Sequence, residues 1–360
     1  MKKQQRSEAQ AKCASSAERR TSWKKIDFSR CERKVRKLQF RIAKAQKEGR
    51  YNKVKALQHL LVTSFEAKVL AVRKVTTNKG KRTAGIDHVL WDTDARKINA
   101  VCSLKRREYK ALPLKRVNIP KKNGKMRPLG IPTMKDRAMQ ALYLMALEPI
   151  TETTADANAY GFRKFRSTAD AIDALHRWLS RDCSPQWILE GDIKGCFDHI
   201  SHQWLLDNVR IDKRILEKWL KSGVVFNKMP QPTVEGAPQC GIISPILANT
   251  TLDGMERMLK ERYRVNYIDG RLYHPKVNYV RYADDFIVTA DKRETLEDVK
   301  CMLIEFLRER GLTLSEEKTL ITHISEGFDF LGFNVRKYNG TLLIKPSSKS
   351  QKRFTEKLHE

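Results

Sequence analysis

The 360-residue sequence has no Cys-X-X-Cys pair, no internal repeat and no apolar run of about 18 residues that would span a membrane. It also lacks the apolar segment of a signal peptide. These absences argue against a zinc site, a repeat protein, a membrane partner and secretion. The seven cysteines are odd in number and scattered, so we expect reduced thiols in an intracellular protein.

Acidic residues are few relative to basic ones. The chain has 42 Asp and Glu against 71 Lys and Arg, a formal net charge of +29. This balance favours a phosphate-rich partner, of which nucleic acid is the first candidate, and a merely soluble basic protein is the alternative. With 41% hydrophobic residues, the chain can bury the core of a folded enzyme of one or two subdomains.

The N-terminal part of the chain is the most basic. Residues 1–22 are polar and basic, which predicts a disordered tail. The next segment has apolar residues at helical spacing and basic residues elsewhere, which predicts an amphipathic helix with a cationic face. Arg33, Arg36 and Lys37 on that face are candidates for RNA binding, and a plain solvated face is the alternative. A second helix is predicted through residues 54–70.

A cationic hairpin is predicted over residues 117–132, where two strand patterns flank an Asn-Gly turn. Lys121, Lys122 and Arg127 lie close to the turn. Several cations at a hairpin tip indicate an anionic ligand, and the alternative is an exposed hairpin that its lysines keep soluble.

Residues 160–166 mix aromatic and basic side chains, Arg163 among them. Such mixing suits a nucleic-acid strand, because rings can stack on bases while cations contact phosphates. Helices are predicted on both sides, over residues 138–150 and from Thr168, as the capping residue, to about residue 180.

Two carboxylate positions each end a predicted buried strand. Asp192 follows residues 187–191, and Asp284 and Asp285 form the tip of a hairpin predicted over 277–289. Phosphoryl transfer from a nucleoside triphosphate needs divalent metal held by carboxylates, and paired strand ends would hold two magnesium ions. For each position taken singly, ordinary turn or cap chemistry is the alternative.

Taken together, the chain resembles the bacterial group II intron-encoded proteins, which are reverse transcriptases and maturases. The matching blocks occur in that family's order. They are 83–87 (Thr-Ala-Gly-Ile-Asp), 118–132, 160–163 with 167–168, 192–197 (Asp-Ile-Lys-Gly-Cys-Phe), 236–245, 282–285 (Tyr-Ala-Asp-Asp), 314–319 and 328–333.

The resemblance implies an α+β fold, the fingers and palm of a right-hand polymerase, with an antiparallel palm sheet packed on helices. It assigns residues 23–110 to a helical N-terminal extension, 111–180 to fingers with the cationic hairpin, and 181–340 to the palm. Residues 341–360 resemble the start of a thumb. The rest of the thumb and any later domains are expected to be missing.

The resemblance also implies the roles of the site residues. Asp192, Asp284 and Asp285 would be catalytic and hold two magnesium ions, with manganese as a substitute, and Phe197 would exclude the 2′-hydroxyl of ribonucleotides. The residues implied for the incoming nucleotide are Lys121, Lys122, Arg127, Gln239 and Lys318. Those implied for the primer end are Leu331, Gly332 and Phe333.

The implied function is RNA-directed DNA synthesis from deoxynucleotides on a primed RNA template in the bacterial cytosol or nucleoid, with intron RNA as a partner in splicing and retrohoming. Two alternatives stay open: a splicing factor that binds intron RNA without making DNA, and a retron or diversity-generating reverse transcriptase. A homodimer is also left open. Cys196 and Cys240 depart from the family's usual aromatic and glycine, which puts local packing and backbone freedom in question.

Overall fold

The structure is a computed structural model, and it describes residues 22–120, 124, 126–226, 229–231, 235–236, 241–268 and 270–359. The predicted tail, apart from Ser22, lies outside these residues. So do Lys121, Lys122, Gln239 and Cys240. No helix in the described part of the chain is long and apolar enough to cross a membrane.

The helices and strands follow one another in mixed order. The helices are α1 (Phe28–Lys47), α2 (Tyr51–Thr63), α3 (Phe65–Thr77), α4 (Asp94–Ser103), α5 (Met134–Thr154), α6 (Thr168–Leu179), α7 (Cys196–His199), α8 (His202–Asn208), α9 (Lys213–Leu220), α10 (Ser244–Leu252), α11 (Met255–Arg262), α12 (Arg293–Arg308) and α13 (Ser348–His359). The strands are β1 (Leu114–Pro120), β2 (Met126–Ile131), β3 (Trp187–Gly191), β4 (Val224–Phe226), β5 (Met229–Gln231), β6 (Asn266–Ile268), β7 (Arg271–Tyr273), β8 (Asn278–Tyr282), β9 (Asp285–Ala290), β10 (Leu320–His323), β11 (Phe328–Phe330), β12 (Phe333–Tyr338) and β13 (Thr341–Pro346).

The first of two compact units comprises residues Met1–Thr153 and Asn208–Ser244. Its sheet has the order β2-β1-β4-β5, in which β1 and β2 pair antiparallel as the predicted hairpin. The predicted amphipathic helix is α1, which buries the apolar stripe and exposes the basic face. The single helix predicted over residues 54–70 is wrong. Ser64 is extended and caps a new helix by accepting a hydrogen bond from the Ala67 amide at 3.3 Å, so α2 and α3 are separate.

The second unit comprises residues Thr154–Asp207 and Pro245–Glu360. Its central sheet is antiparallel, in the order β10-β3-β9-β8, and α12 packs on β3 and β9. Side chains of α6, the central sheet and the β11-β12-β13 sheet share one buried apolar core. An antiparallel sheet packed on helices confirms the predicted α+β palm.

The cap of α6 differs from the prediction. Ser167, not Thr168, is the capping residue. The Ser167 hydroxyl accepts a hydrogen bond from the Asp170 amide at 3.4 Å, and the Asp170 carboxylate accepts one from the Ser167 amide at 2.6 Å. This reciprocal pair is a capping box, which fixes where the segment before α6 ends.

Candidate active site

Asp192 follows β3 directly, and backbone pairing fixes its position. The Ser315 amide donates a hydrogen bond to the Asp192 carbonyl at 2.8 Å, and Ile193 forms an antiparallel bridge with Leu314. The segment that leads to Lys318 is therefore bound to the end of β3.

A two-residue turn joins β8 and β9. Tyr282 pairs with Asp285, so Ala283 and Asp284 are its central residues. Ala283 has a φ of 60°, in the left-handed region that favours glycine, whereas φ of Asp284 is not positive. This combination is that of a type II′ turn, and it costs an alanine roughly 1 kcal/mol.

Gly161 lies against this strained turn. A Cβ atom at position 161 would lie 2.2 Å from the Ala283 amide nitrogen, a distance that no side chain tolerates. The Tyr160 amide donates to the Arg281 carbonyl at 2.8 Å, and Asn249 Nδ2 donates to the Gly161 carbonyl at 2.8 Å. The backbone of this loop therefore supports the turn that carries the aspartates.

Arg281 is fully buried beside the turn, and the sequence prediction missed it. Its guanidinium donates to the Ala283 carbonyl at 3.2 Å, to Asn249 Oδ1 at 3.0 Å and to Asp253 Oδ1 at 2.6 Å. Burial raises the pKa of Asp253 to about 6, which leaves this carboxylate ionised opposite Arg281 at neutral pH. An arginine in the middle of a strand predicted to be buried was the signal that could have identified it, because an arginine is rarely buried without partners.

The predicted carboxylates lie close enough to interact. Burial, together with the charges of Asp284 and Asp192, raises the pKa of Asp285 to about 7, and a hydrogen bond with Asp192 acts in the same direction. Lys318 Nζ donates to Asp192 Oδ2 at 2.8 Å, and this hydrogen bond raises the pKa of the lysine. The structure thus brings four predicted site residues together.

The donor set suits a hard divalent cation. Among the residues that the structure describes, no three His, Cys, Asp or Glu side chains are already arranged as a set of metal ligands. Carboxylate oxygens are nevertheless the ligands that magnesium prefers, and the raised pKa of Asp285 reflects burial first and then the like charges of Asp284 and Asp192. A divalent cation would relieve that repulsion and compete with Lys318 for Asp192.

Phe197 lies in α7, shortly after Asp192. It is half-buried, and its ring centroid is 6.2 Å from that of Phe162 in an edge-on arrangement. The neighbouring Cys196 is buried, and burial raises the pKa of its thiol to about 12. Cys196 therefore packs as a small apolar residue. The role of Phe197 as a sugar gate stays a prediction.

Leu331 and Gly332 form the turn between β11 and β12, where Phe330 pairs with Phe333. Both turn residues have positive φ, 51° and 87°, as a type I′ turn requires. The Ser347 amide donates to the Gly332 carbonyl at 2.9 Å, which ties this turn to the chain just before α13. Their contact with a primer end stays a prediction.

The structure describes only some of the remaining predicted site residues. Lys121, Lys122 and Gln239 lie outside the described residues, and for Arg127 the structure describes only the backbone, within β2. The three basic residues predicted on the first helix are exposed on α1: Arg33, Arg36 and Lys37. Arg163 donates from Nη1 to two carbonyls of its own loop, at 2.9 and 2.6 Å, so it organises that loop.

Two family models match the chain. A model described as reverse transcriptase (RNA-dependent DNA polymerase) matches residues 119–335, and one described as the N-terminal domain of reverse transcriptase matches residues 23–104. These spans contain all of the predicted site residues.

Individual proteins and a solved structure are also similar to this chain. Protein YkfC of Escherichia coli K12 is 35% identical over 311 residues, which are 76% of this chain and 81% of YkfC. The group II intron-encoded protein LtrA of Lactococcus lactis is 34% identical over 346 residues, 79% of this chain but only 57% of LtrA. An apo telomerase structure from Candida tropicalis shares the fold, with a TM-score of 0.51, 16% identity, and coverage of 68% of this chain and 50% of that one.

Proposed function

Because the chain belongs to the reverse transcriptase family, we propose that it is the RNA-directed DNA polymerase of a group II intron, extending a DNA primer on an RNA template. The observation that carries this proposal is the approach of Asp192, Asp285 and Lys318 beside the strained turn at Ala283. The predicted resemblance to group II intron-encoded proteins is confirmed by the match to LtrA.

Enzymes of this family depend on a divalent metal. In our proposal Asp192, Asp284 and Asp285 hold two magnesium ions, for which manganese is a substitute. When bound, such ions supply Lewis-acid stabilisation of the attacking hydroxyl and the leaving pyrophosphate. The protein's part is to hold three carboxylates at two adjacent strand ends, where buried neighbours fix their backbone.

The proposal gives the remaining residues supporting roles. Lys318 keeps a positive charge and a proton at Nζ beside Asp192, ready for the departing pyrophosphate. Lys121 or Lys122, with Arg127, neutralises the incoming triphosphate, and Gln239 lies beside the nucleotide.

RNA binding follows from the family, and the identity of the RNA belongs to the proposal. The chain spans 57% of the length of LtrA, so we propose intron RNA binding, splicing and retrohoming only for the whole protein to which this sequence corresponds. Deoxynucleotides, a DNA primer and an RNA template are the proposed substrates. A location in the bacterial cytosol or nucleoid completes the proposal.

Primer extension on an RNA template with magnesium and deoxynucleotides tests the proposed function. We expect the wild-type chain to extend the primer and Asp284→Ala to lose at least a thousandfold in rate, because one metal ligand is removed. Affinity for the template–primer, measured by fluorescence anisotropy, should stay within about twofold. Synthesis by Asp284→Ala at the wild-type rate would overturn the metal assignment.

The same assay separates the polymerase from the alternative of a non-catalytic splicing factor. If the wild-type chain binds intron RNA tightly but makes no DNA under any metal, the splicing-factor function replaces the polymerase. We favour the polymerase because RNA binding alone does not require Asp192, Asp284, Asp285 and Lys318 to be retained together.

A further inference from the structure

The loop of residues 162–166, between Gly161 and the cap of α6, presents an aromatic ring to solvent. Phe165 is 100% exposed, and its φ is 60°. A single exposed phenylalanine is ordinary on a protein surface, but a bulky residue in the left-handed region is an outlier. Glycine would avoid that conformational cost, and no buried contact compensates for it at Phe165.

The loop is held firmly despite its exposed ring. Arg163 Nη1 donates to the carbonyls of Asp156 and Ala159, at 2.9 and 2.6 Å. At its other end the loop stops at the Ser167 capping box. Phe162, just before Arg163, also has a positive φ, of 61°. Such an over-determined loop keeps Phe165 in one strained position, which is typical of functional sites.

The surroundings of Phe165 indicate which ligand its ring would meet. Lys164 and Arg166 flank it and are exposed, and the Arg166 guanidinium lies 5.7 Å from the Tyr160 ring centroid. Alternating rings and cations suit a single nucleic-acid strand, whose bases stack on rings while its phosphates meet the cations. An apolar protein partner would not need these charges.

The loop also lies next to the candidate active site. Gly161 abuts the Ala283 turn, and the Phe162 ring meets the ring of Phe197, which follows Asp192 by five residues in the sequence. We infer that Phe165 is a stacking platform for an unpaired base of the RNA template strand. This inference rests on the proposed function, and it assigns to Phe165 a binding role that the catalytic chemistry does not require.

The test uses an RNA–DNA duplex with a 5′ RNA overhang and a blunt duplex of the same sequence. Phe165→Gly should unfold at a higher urea concentration than the wild type, because glycine tolerates the left-handed backbone. It should nevertheless bind the overhang duplex about tenfold more weakly and the blunt duplex equally well. A structural role would move stability and affinity in the same direction, so opposite signs support stacking.

Two further variants remove remaining ambiguities. Phe165→Leu keeps the apolar bulk but not the ring, so it should also lose overhang affinity. Tyr267→Leu replaces another exposed ring, 76% exposed on β6, and should leave overhang affinity unchanged. A 2-aminopurine base in the overhang should be quenched by the wild type and by Tyr267→Leu, but not by the two Phe165 variants.

Each outcome has a defined meaning. Equal overhang affinity for wild type and Phe165→Gly overturns the inference, and so does an equal loss on overhang and blunt duplexes. A wild-type chain that quenches the probe through Phe165 but makes no DNA would support the inference and refute the proposed polymerase. A chain that makes DNA but shows no difference at Phe165 would refute the inference alone.

Discussion

The turn between β8 and β9 and the outer face of α1 handle charge in opposite ways. At the turn, Arg281 is fully buried, and its guanidinium donates hydrogen bonds to Ala283, Asn249 and Asp253. On α1, the basic residues predicted to bind RNA are exposed to solvent. The turn fixes geometry, whereas the helix supplies charge density.

The difference follows from what each region has to do. Metal-assisted transfer requires ligands held to within about half an ångström, so the residues around them must be locked by packing and hydrogen bonds. Phosphate binding depends on the number of cations and on salt, and it tolerates mobile side chains. We therefore expect the effect of a substitution at the turn to depend on how deeply the side chain is buried. On α1 the effect should depend on how much positive charge is removed.

The strongest test of this comparison is Arg281→Met. It leaves Asp253 as a buried carboxylate without its cation and removes a donor from the Ala283 carbonyl, so we expect a loss of about 3–5 kcal/mol in the free energy of unfolding. Urea unfolding measures it. Arg308→Met is the matched control, because Arg308 forms an exposed ion pair with Glu305 and should cost less than about 1 kcal/mol.

A second variant distinguishes stability from positioning at the turn. Arg281→Met with Asp253→Leu removes both charges, so much of the stability should return. DNA synthesis should stay low, measured as kcat below the unfolding temperature, because the Ala283 carbonyl still lacks its donor. Recovery of kcat together with stability would mean that Arg281 only stabilises the fold.

Phe197→Ala tests a ring near the end of β3, the strand that Asp192 follows. If Phe197 excludes the 2′-hydroxyl, its loss should reduce discrimination against ribonucleotides by about 10- to 100-fold while deoxynucleotide incorporation changes less. Single-nucleotide incorporation with matched ribo- and deoxynucleotides measures the ratio. Phe162→Ala removes the ring that Phe197 meets edge-on and is the control for general loss of packing. Unchanged sugar discrimination in Phe197→Ala would remove it from the gate.

The role of the basic face of α1 is tested by neutralising Arg33, Arg36 and Lys37 together. RNA affinity should fall by about tenfold or more, and the salt dependence should flatten by about 0.7 units of slope for each lost contact with single-stranded RNA. Binding titrations at several salt concentrations measure both.

The control for this triple variant has the same change in net charge. It neutralises three basic residues that each pair with a carboxylate three or four residues away in the sequence: Lys221, Arg293 and Arg308. We expect little change in RNA affinity there. Equal losses in both triple variants would mean that net charge, and not the α1 face, determines binding.

The two regions also differ in how far the sequence revealed them. Hydrophobic spacing predicted α1, and alternating strands with turn residues predicted both hairpins, because these patterns are local. Asp192 and Asp284 were found since each follows an apolar strand. Arg281 was missed, and the contact of Gly161 with the turn was not predicted, because both roles depend on contacts between segments far apart in the chain.

The smallest expected effect concerns Glu190 of β3, whose carboxyl group is half-buried beside β9. Burial raises the pKa of Glu190 to about 7, and the charge of Asp329 acts in the same direction. The Thr322 hydroxyl donates a hydrogen bond to the Glu190 carboxyl at 3.4 Å. The folded state therefore binds this proton more tightly than the unfolded chain, whose glutamate has a pKa of about 4.3.

Stability should accordingly fall as pH rises from about 4.3 to 7, because the unfolded state releases the proton first, and the loss should persist above pH 7. Glu190→Gln removes this dependence without changing side-chain size. In urea unfolding with EDTA present, we expect the variant to be more stable than the wild type at pH 8, with the difference shrinking towards pH 4 to 5. The effect should be smaller than that of Arg281→Met, because Glu190 is only half-buried and solvent screens part of the penalty. An advantage of the same size at pH 5 and pH 8 would mean that packing, and not the charge of Glu190, separates the two proteins.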